Sequence, residues 1–266
     1  VTQVALLGVG AMGEIILSGL LRAGWDASEV VGAARRAERR EELASRYGVR
    51  MEATVEAATA GADAVLVGVK PYDALALLPQ IAPHLAPGAV VISLCAGITT
   101  AQMEAQLPDG TPVIRVMPNT PAELGVGMSV ISAGAHASEA DLARAVSLME
   151  AVGKAVVIPE SHQDAATAIS GSGPAYIFYV AEALADAGVL LGLPRAVATA
   201  LATQTLLGSS TLLDASGQHA TLLRERVTSP GGTTAAALRV LDDRAVKAAF
   251  IAAAEACRDR SAELGR

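Results

Sequence analysis

The chain has 266 residues; 52% are hydrophobic but only 3% aromatic, and 18% are charged. That length excludes a disulfide-stapled miniprotein and gives one or two domains, while the apolar content excludes a disordered chain. A net charge of −7, with lysine only at Lys70, Lys154 and Lys247, argues against phosphate-gripping nucleic-acid binding and against an anionic membrane surface.

Along the first 160 residues, short apolar runs alternate with helical patterns. The runs Val4–Leu7, Val30–Ala34, Ala64–Val69, Ala89–Leu94, Val113–Met117 and Gly127–Ile131 read as strands. Met12–Ala23, Ala37–Tyr47, Tyr72–Ile81 and Thr100–Leu107 read as the helices between them. Alternation of this kind predicts βαβ units, and strands without polar alternation fit a parallel sheet covered on both faces. A helix at Glu139–Ala151 and a strand at Lys154–Ile158 follow, and Pro159 marks a boundary. Beyond it the pattern turns wholly helical: Gln163–Ser170, Pro174–Leu191, Pro194–Ala215, His219–Val227, Thr234–Leu241 and Arg244–Leu264. The fold class expected is α/β, an N-terminal Rossmann-type doubly wound sheet (1–159) followed by an all-helical domain (160–266). Ala196–Leu213 carries no charge, but Thr199, Thr203, Gln204, Thr205, Gly208, Ser209 and Ser210 interrupt it. It reads as a soluble helix buried on most sides rather than a membrane span. So few charges on so many helices predict packing against the same helices of a second subunit, a homodimer.

Gly8-Val9-Gly10-Ala11-Met12-Gly13 directly follows the first strand and opens a helix. In this GxGxxG, Gly8 permits a tight turn, Gly10 a close approach of backbone to a pyrophosphate, and Gly13 close helix–strand contact. The helix start offers free amides and the positive dipole end to the phosphates. The second strand ends in Ala33-Ala34 and continues with Arg35-Arg36. No carboxylate stands there to meet a ribose 2′-hydroxyl, and two guanidiniums suit a 2′-phosphate, so NADP is favoured over NAD. Val69-Lys70-Pro71 and Cys95-Ala96-Gly97 fall at carboxyl ends of further strands, where a parallel sheet opens its ligand crevice. Cys95 reads as a packing residue, since no companion histidine lies nearby.

Near the other end, Ser229-Pro230-Gly231-Gly232-Thr233-Thr234 opens a helix. Adjacent glycines with free amides make a place for a small anion such as a carboxylate, and the threonine hydroxyls add donors and acceptors. Cys95 and Cys257 form no CxxC pair and His84, His136, His162 and His219 show no ligand spacing. Neither a disulfide framework nor a metal site is expected, and a reducing, cytoplasmic compartment follows. No basic segment precedes the first apolar run, so no signal peptide is expected. Asn119 is open to two readings, a turn cap or a group pointing at the site.

The order of GVGAMG (8–13), VKP (69–71), CAG (95–97), RVMPNTP (115–121), SGSGPAY (170–176), GLPR (192–195) and SPGGTT (229–234) resembles the pyrroline-5-carboxylate reductase family over nearly the whole chain. The resemblance implies NADPH-dependent reduction of the cyclic imine 1-pyrroline-5-carboxylate to L-proline. It implies that Leu7, Gly8, Val9, Gly10, Ala11, Met12 and Gly13 line the pyrophosphate and that Arg35 and Arg36 meet the adenosine phosphate. Gly68, Val69, Lys70, Pro71, Cys95, Ala96 and Gly97 would border the ribose and nicotinamide. Ser229, Gly231, Gly232, Thr233 and Thr234 would hold the substrate, with Thr234 orienting its ring nitrogen and Glu160 close by. It also implies a helical domain interlocked with a second subunit, and room for a larger assembly of dimers. Arg226 stands where relatives often have Asn. Two rival readings are a β-hydroxyacid dehydrogenase-like enzyme and a non-catalytic NADP-binding protein. The first lacks its lysine proton donor, since no lysine occurs between Lys154 and Lys247; the second has no use for SPGGTT.

Overall fold

The structure, a computed structural model, describes residues 3–265. The chain divides into two compact units, one holding the chain up to Ser172 and again from Cys257, the other Gly173–Ala256. Glu160 to Ser172 therefore group with the sheet, as does the end of the last helix.

In the first unit the order is β1 (Val4–Leu7), α1 (Ala11–Arg22), β2 (Val30–Ala33), α2 (Ala37–Tyr47), β3 (Arg50–Glu52), α3 (Val55–Thr59), β4 (Ala64–Val67), α4 (Pro71–Ile81) and β5 (Val90–Ser93). Then come α5 (Thr100–Glu104), β6 (Val113–Met117), β7 (Gly127–Ala133), α6 (Glu139–Glu150), β8 (Gly153–Val157) and α7 (Gln163–Ala166), which runs into a π-turn over Thr167–Gly171. One sheet takes the order β3-β2-β1-β4-β5-β6-β7-β8. Its centre is parallel, as the apolar runs predict, and β1, β4 and β5 are buried at every residue.

Successive side chains of a strand point to opposite faces, and the core splits accordingly. Val4, Leu6, Leu66 and Ile92 join Ile16, Leu17 and Leu20 of α1 and Leu148 of α6 on one face. Ala5, Leu7, Val65, Val67 and Val91 join Leu77, Leu78 and Ile81 of α4 on the other. The helices start where the sequence supplies caps. Ser138 and Asp141 form a reciprocal capping box on α6, and Pro71 sits in the first turn of α4, where a missing N–H costs little.

The register positions the site. Leu7 aligns with Ala33 and with Val67, and Val67 aligns with Ser93. The carboxyl ends of β1, β2, β4 and β5 thus finish in one row, and the loops that follow them share one edge.

Three features lie outside the apolar-run reading. β3 and α3 carry no such run. β7 pairs antiparallel with β6 and parallel with β8. The link from Met117 to Gly127 is only a short 3-10 turn (Thr120–Leu124), whereas a parallel return needs a crossover of about a dozen residues.

The second unit contains only helices among the described residues: α8 (Gly173–Leu190), α9 (Arg195–Ser216), α10 (Ala220–Arg226), α11 (Thr233–Asp243) and the start of α12 (Val246–Leu264). α9 is long and apolar enough to cross a membrane by length and composition, and only 11% of its apolar window is buried within the chain. The expectation of a helix buried on most sides is therefore not met inside one subunit. A single pair of packed helices, α8 and α9, has too few neighbours to cover 22 residues.

Leu66, at the centre of β4, is wholly buried. Leu66→Ala is expected to lower the unfolding free energy by about 2–5 kcal/mol, measured by urea denaturation, because the sheet on either side cannot collapse into the void.

Candidate active site

The glycine loop after β1 is held chiefly by backbone hydrogen bonds. Gly8 donates its amide to the carbonyl of Ala33 at 3.1 Å, and Gly10 donates to Gly8 O at 2.9 Å. Gly8 has φ +89°, and a β-carbon there would lie 2.9 Å from the amide nitrogen of Val69, so no other residue fits without moving the loop after β4. A β-carbon on Gly13 would come 2.7 Å from Gly8 O, which is the close helix–strand approach expected of the third glycine. Gly10, the N-cap of α1, is different: a β-carbon there would meet nothing within 4 Å. The space beside its Cα is open, as the approach of a pyrophosphate requires.

The loops after β4 and β5 join the same edge. Gly68 donates to Leu7 O at 2.8 Å. Lys70 caps α4 and is exposed. The Cys95 thiol donates to Val69 O at 3.3 Å and is buried. Burial pushes its pKa up, against a smaller lowering from Ser93, so the thiol stays protonated and serves as a packing group that ties the two loops together. Leu7 to Gly13, Gly68 to Pro71 and Cys95 are thus brought to one edge.

The turn after β2 holds the arginines. Arg40 donates to the carbonyls of Ala34 and Arg35, both at 2.9 Å, and so shapes the turn. Arg35 is largely exposed and pairs with Asp73 of α4 at 3.2 Å. Arg36 is the N-cap of α2, and its side chain makes no capping bond.

In the second unit the SPGGTT segment forms the start of α11. Gly231 has φ +69° and Gly232 is the N-cap, donating its amide to Ser229 O at 3.0 Å. The first helical bond runs from Ala236 N to Gly232 O, so the amides of Thr233, Thr234 and Ala235 have no helical partner. Ser229 and Thr233 are exposed, Thr234 is half-buried, and neither threonine hydroxyl has a partner among the described residues. Free amides, the positive helix end and two unengaged hydroxyls suit a small carboxylate with a neighbouring polar atom.

Residues 160–264 match the family described as pyrroline-5-carboxylate reductase dimerisation, and residues 3–97 match NADP oxidoreductase coenzyme F420-dependent. A pyrroline-5-carboxylate reductase of Corynebacterium melassecola is 42% identical, over 100% of this chain and 99% of its own. The chain belongs to the pyrroline-5-carboxylate reductase family. The solved structure of a pyrroline-5-carboxylate reductase from Coxiella burnetii superposes with a TM-score of 0.96 at 32% identity, covering 100% of this chain and 99% of the other. That of the Plasmodium falciparum pyrroline carboxylate reductase with NADP bound has a TM-score of 0.88 at 28% identity, covering 100% and 98%.

Other motif residues of this reductase family member have structural partners. Asn119 donates to Ser170 O at 3.0 Å and accepts from Met128 N at 2.8 Å, so its side chain staples β7 to the π-turn and makes no capping bond on the turn Thr120–Leu124 that it precedes. Glu160, expected beside the substrate, has both carboxylate oxygens engaged by Thr100, whose amide donates at 2.8 Å and hydroxyl at 2.6 Å. Arg115, nearly buried, stands 3.4 Å from Glu160 and 3.8 Å from Asp164. The arginine inside the otherwise apolar run Val113–Met117 is the sequence signal for this cluster.

A second group supports the glycine loop. Glu14 of α1 takes bonds from Arg39, Arg46 and Tyr47 of α2, and Arg39 also reaches Val9 O at 3.5 Å. Burial raises the Glu14 pKa. The hydrogen bonds from Arg39 and Tyr47, with the charges of Arg39 and Arg46, outweigh that and leave it below the usual range. A carboxylate with a depressed folded-state pKa adds stability above the unfolded value and loses it as pH falls through the folded one. Glu14→Gln is expected to cost about 1 kcal/mol at neutral pH. In thermal melts the gap to wild type closes as the pH drops below the carboxylate range.

Proposed function

We propose that this chain reduces 1-pyrroline-5-carboxylate to L-proline with NADPH, the last step of proline synthesis. The observation that carries the reading is the start of α11, where free amides, the turn at Gly231 and the unengaged hydroxyls of Thr233 and Thr234 come together. Full-length similarity to the reductases supports it.

Leu7 to Gly13 take the pyrophosphate, with the amides at the start of α1 facing its negative charge. Arg35 and Arg36 take the 2′-phosphate, and the absence of an acid after Ala33 favours NADP over NAD. Gly68 to Pro71 and Cys95 to Gly97 border the ribose and nicotinamide. Ser229, Gly231, Gly232 and Thr233 hold the substrate carboxylate, and the Thr234 hydroxyl orients the ring nitrogen. When bound, the reduced nicotinamide supplies the hydride that the C=N carbon accepts. The ring nitrogen is protonated from solvent, so the chain needs no strong general acid. Its contribution is to hold the reactants at attack distance, which accounts for several kcal/mol of barrier.

Residues 1–159 are the NADP-binding domain and 160–266 the substrate and dimerisation domain in this reading. The exposed apolar side chains Ile177, Phe178, Tyr179, Leu201 and Leu207 of α8 and α9 are covered by the same helices of a second copy. Dimers of this kind leave room for a larger assembly. Free cysteines at 95 and 257 suit a cytoplasmic location.

Purified protein mixed with NADPH and pyrroline-5-carboxylate should lose absorbance at the nicotinamide band, and do so faster than with NADH. No turnover with either coenzyme defeats the assignment. Thr234→Val should lower kcat/KM for the imine by about thirtyfold while leaving NADPH affinity intact. Arg36→Ala should raise KM for NADPH by about tenfold and leave that for NADH unchanged.

A further inference from the structure

Glu160 lies in the 3-10 turn Glu160–His162, far in sequence from what it holds. Its Oε1 accepts the amide of Thr100, the first residue of α5, which has no partner inside its own helix. Its Oε2 accepts the Thr100 hydroxyl. Thr100 and Arg115 are each only 5% exposed, so the pair is shielded from water and the carboxylate charge is balanced by the Arg115 guanidinium. Arg115 is shared with Asp164, which accepts from the Ser261 hydroxyl near the end of α12 at 2.7 Å. The chain end closes over the same segment. Gln102 donates to Gly265 O at 3.4 Å, and a β-carbon on Gly97 would lie 3.3 Å from Leu264 O. Cys95 to Thr99 is therefore fixed at one end by the Cys95 bond to Val69 and at the other by Thr100 on Glu160.

We propose that Glu160, held by Arg115, is a positioning residue for the coenzyme. It fixes Thr100, and with it the backbone of Cys95–Gly97 that borders the nicotinamide ribose, without touching the substrate. This rests on the assignment of Cys95–Gly97 to the coenzyme site. A carboxylate with three donors on its two oxygens has little capacity left for a ligand, which is the physical reason for moving Glu160 from substrate contact to support. The buried arginine makes the arrangement costly to disturb, since without Glu160 only Asp164, at 3.8 Å, faces its charge.

The test compares wild type with Glu160→Gln, Thr100→Val and Thr100→Ser. It measures the Kd of NADPH by nicotinamide fluorescence without substrate, KM for both substrates, and Tm. Glu160→Gln and Thr100→Val should each raise Kd and KM for NADPH by about tenfold and leave KM for the imine within about twofold. Thr100→Ser, which restores the hydroxyl, should return Kd close to wild type. A rise in the imine KM alone would overturn the proposal, because it would put Glu160 on the substrate. A fall in Tm with Kd unchanged would overturn it too, because the network would then be structural only. If Glu160→Gln does not fold, the Thr100 pair decides by the same readouts. Wild type that binds NADPH without reducing the imine defeats the reductase assignment, and the Kd comparison still decides the role of Glu160.

Discussion

Bare backbone at the carboxyl edge of the sheet is the constraint on which the rest depends. β1 and β4 end in register, so Gly8 and Gly68 face one another where side chains would otherwise collide. That approach lets the Gly68 amide bond to Leu7 O, and the space beside the Gly10 Cα stays open. An anion bound there meets peptide dipoles already oriented by a packed sheet, so little reorganisation is needed. Each support described above preserves this edge. Glu14 and Arg39 hold α1 against α2 from one side, the Cys95 thiol joins the loops after β4 and β5, and Glu160 anchors the segment beyond.

Much of this was legible in the sequence, and the reason is local. The runs that became β1, β4 and β5 are continuous and apolar because both of their faces are covered, and GxGxxG works within six residues of one chain segment. The start of α11 was visible for the same reason, since its glycines and threonines are contiguous. What escaped depends on partners far apart. Glu160 and Thr100 are sixty residues from one another, and Asp164 and Ser261 ninety-seven. No periodicity links such pairs. The antiparallel turn into β7 escaped because the apolar composition of a central strand says nothing of its direction, and only the short link from Met117 to Gly127 fixes it.

Asn119 shows that the partners of a motif residue cannot be read from its neighbourhood alone. Within MPNTP it resembles a turn former, yet both ends of its amide are used across space, one on the backbone of Met128 and one on that of Ser170. Glu160 likewise spends its carboxylate on distant groups of the protein, Thr100 and Arg115. A polar side chain whose bonding capacity is already filled by the protein serves the site by holding other groups still.

The helical unit poses the opposite problem, too much apolar surface rather than too little. Ile177, Phe178 and Tyr179 are each at least half exposed on α8, and Leu201, Leu207 and Leu212 on α9. Exposure of this extent is costly in water, so something must cover it. A lipid bilayer is a poor answer for α9: Thr199, Thr203, Gln204, Thr205, Ser209, Ser210 and Thr211 recur along it, and Arg195 and Asp214 lie at its two ends. Hydroxyls and amides spread around a helix find partners more readily against another helix than against acyl chains. The match of this region to a dimerisation family points the same way. The scarcity of charge that first marked the sequence as unusual is then a property of the assembly, since a surface that never meets water has no need of charged side chains.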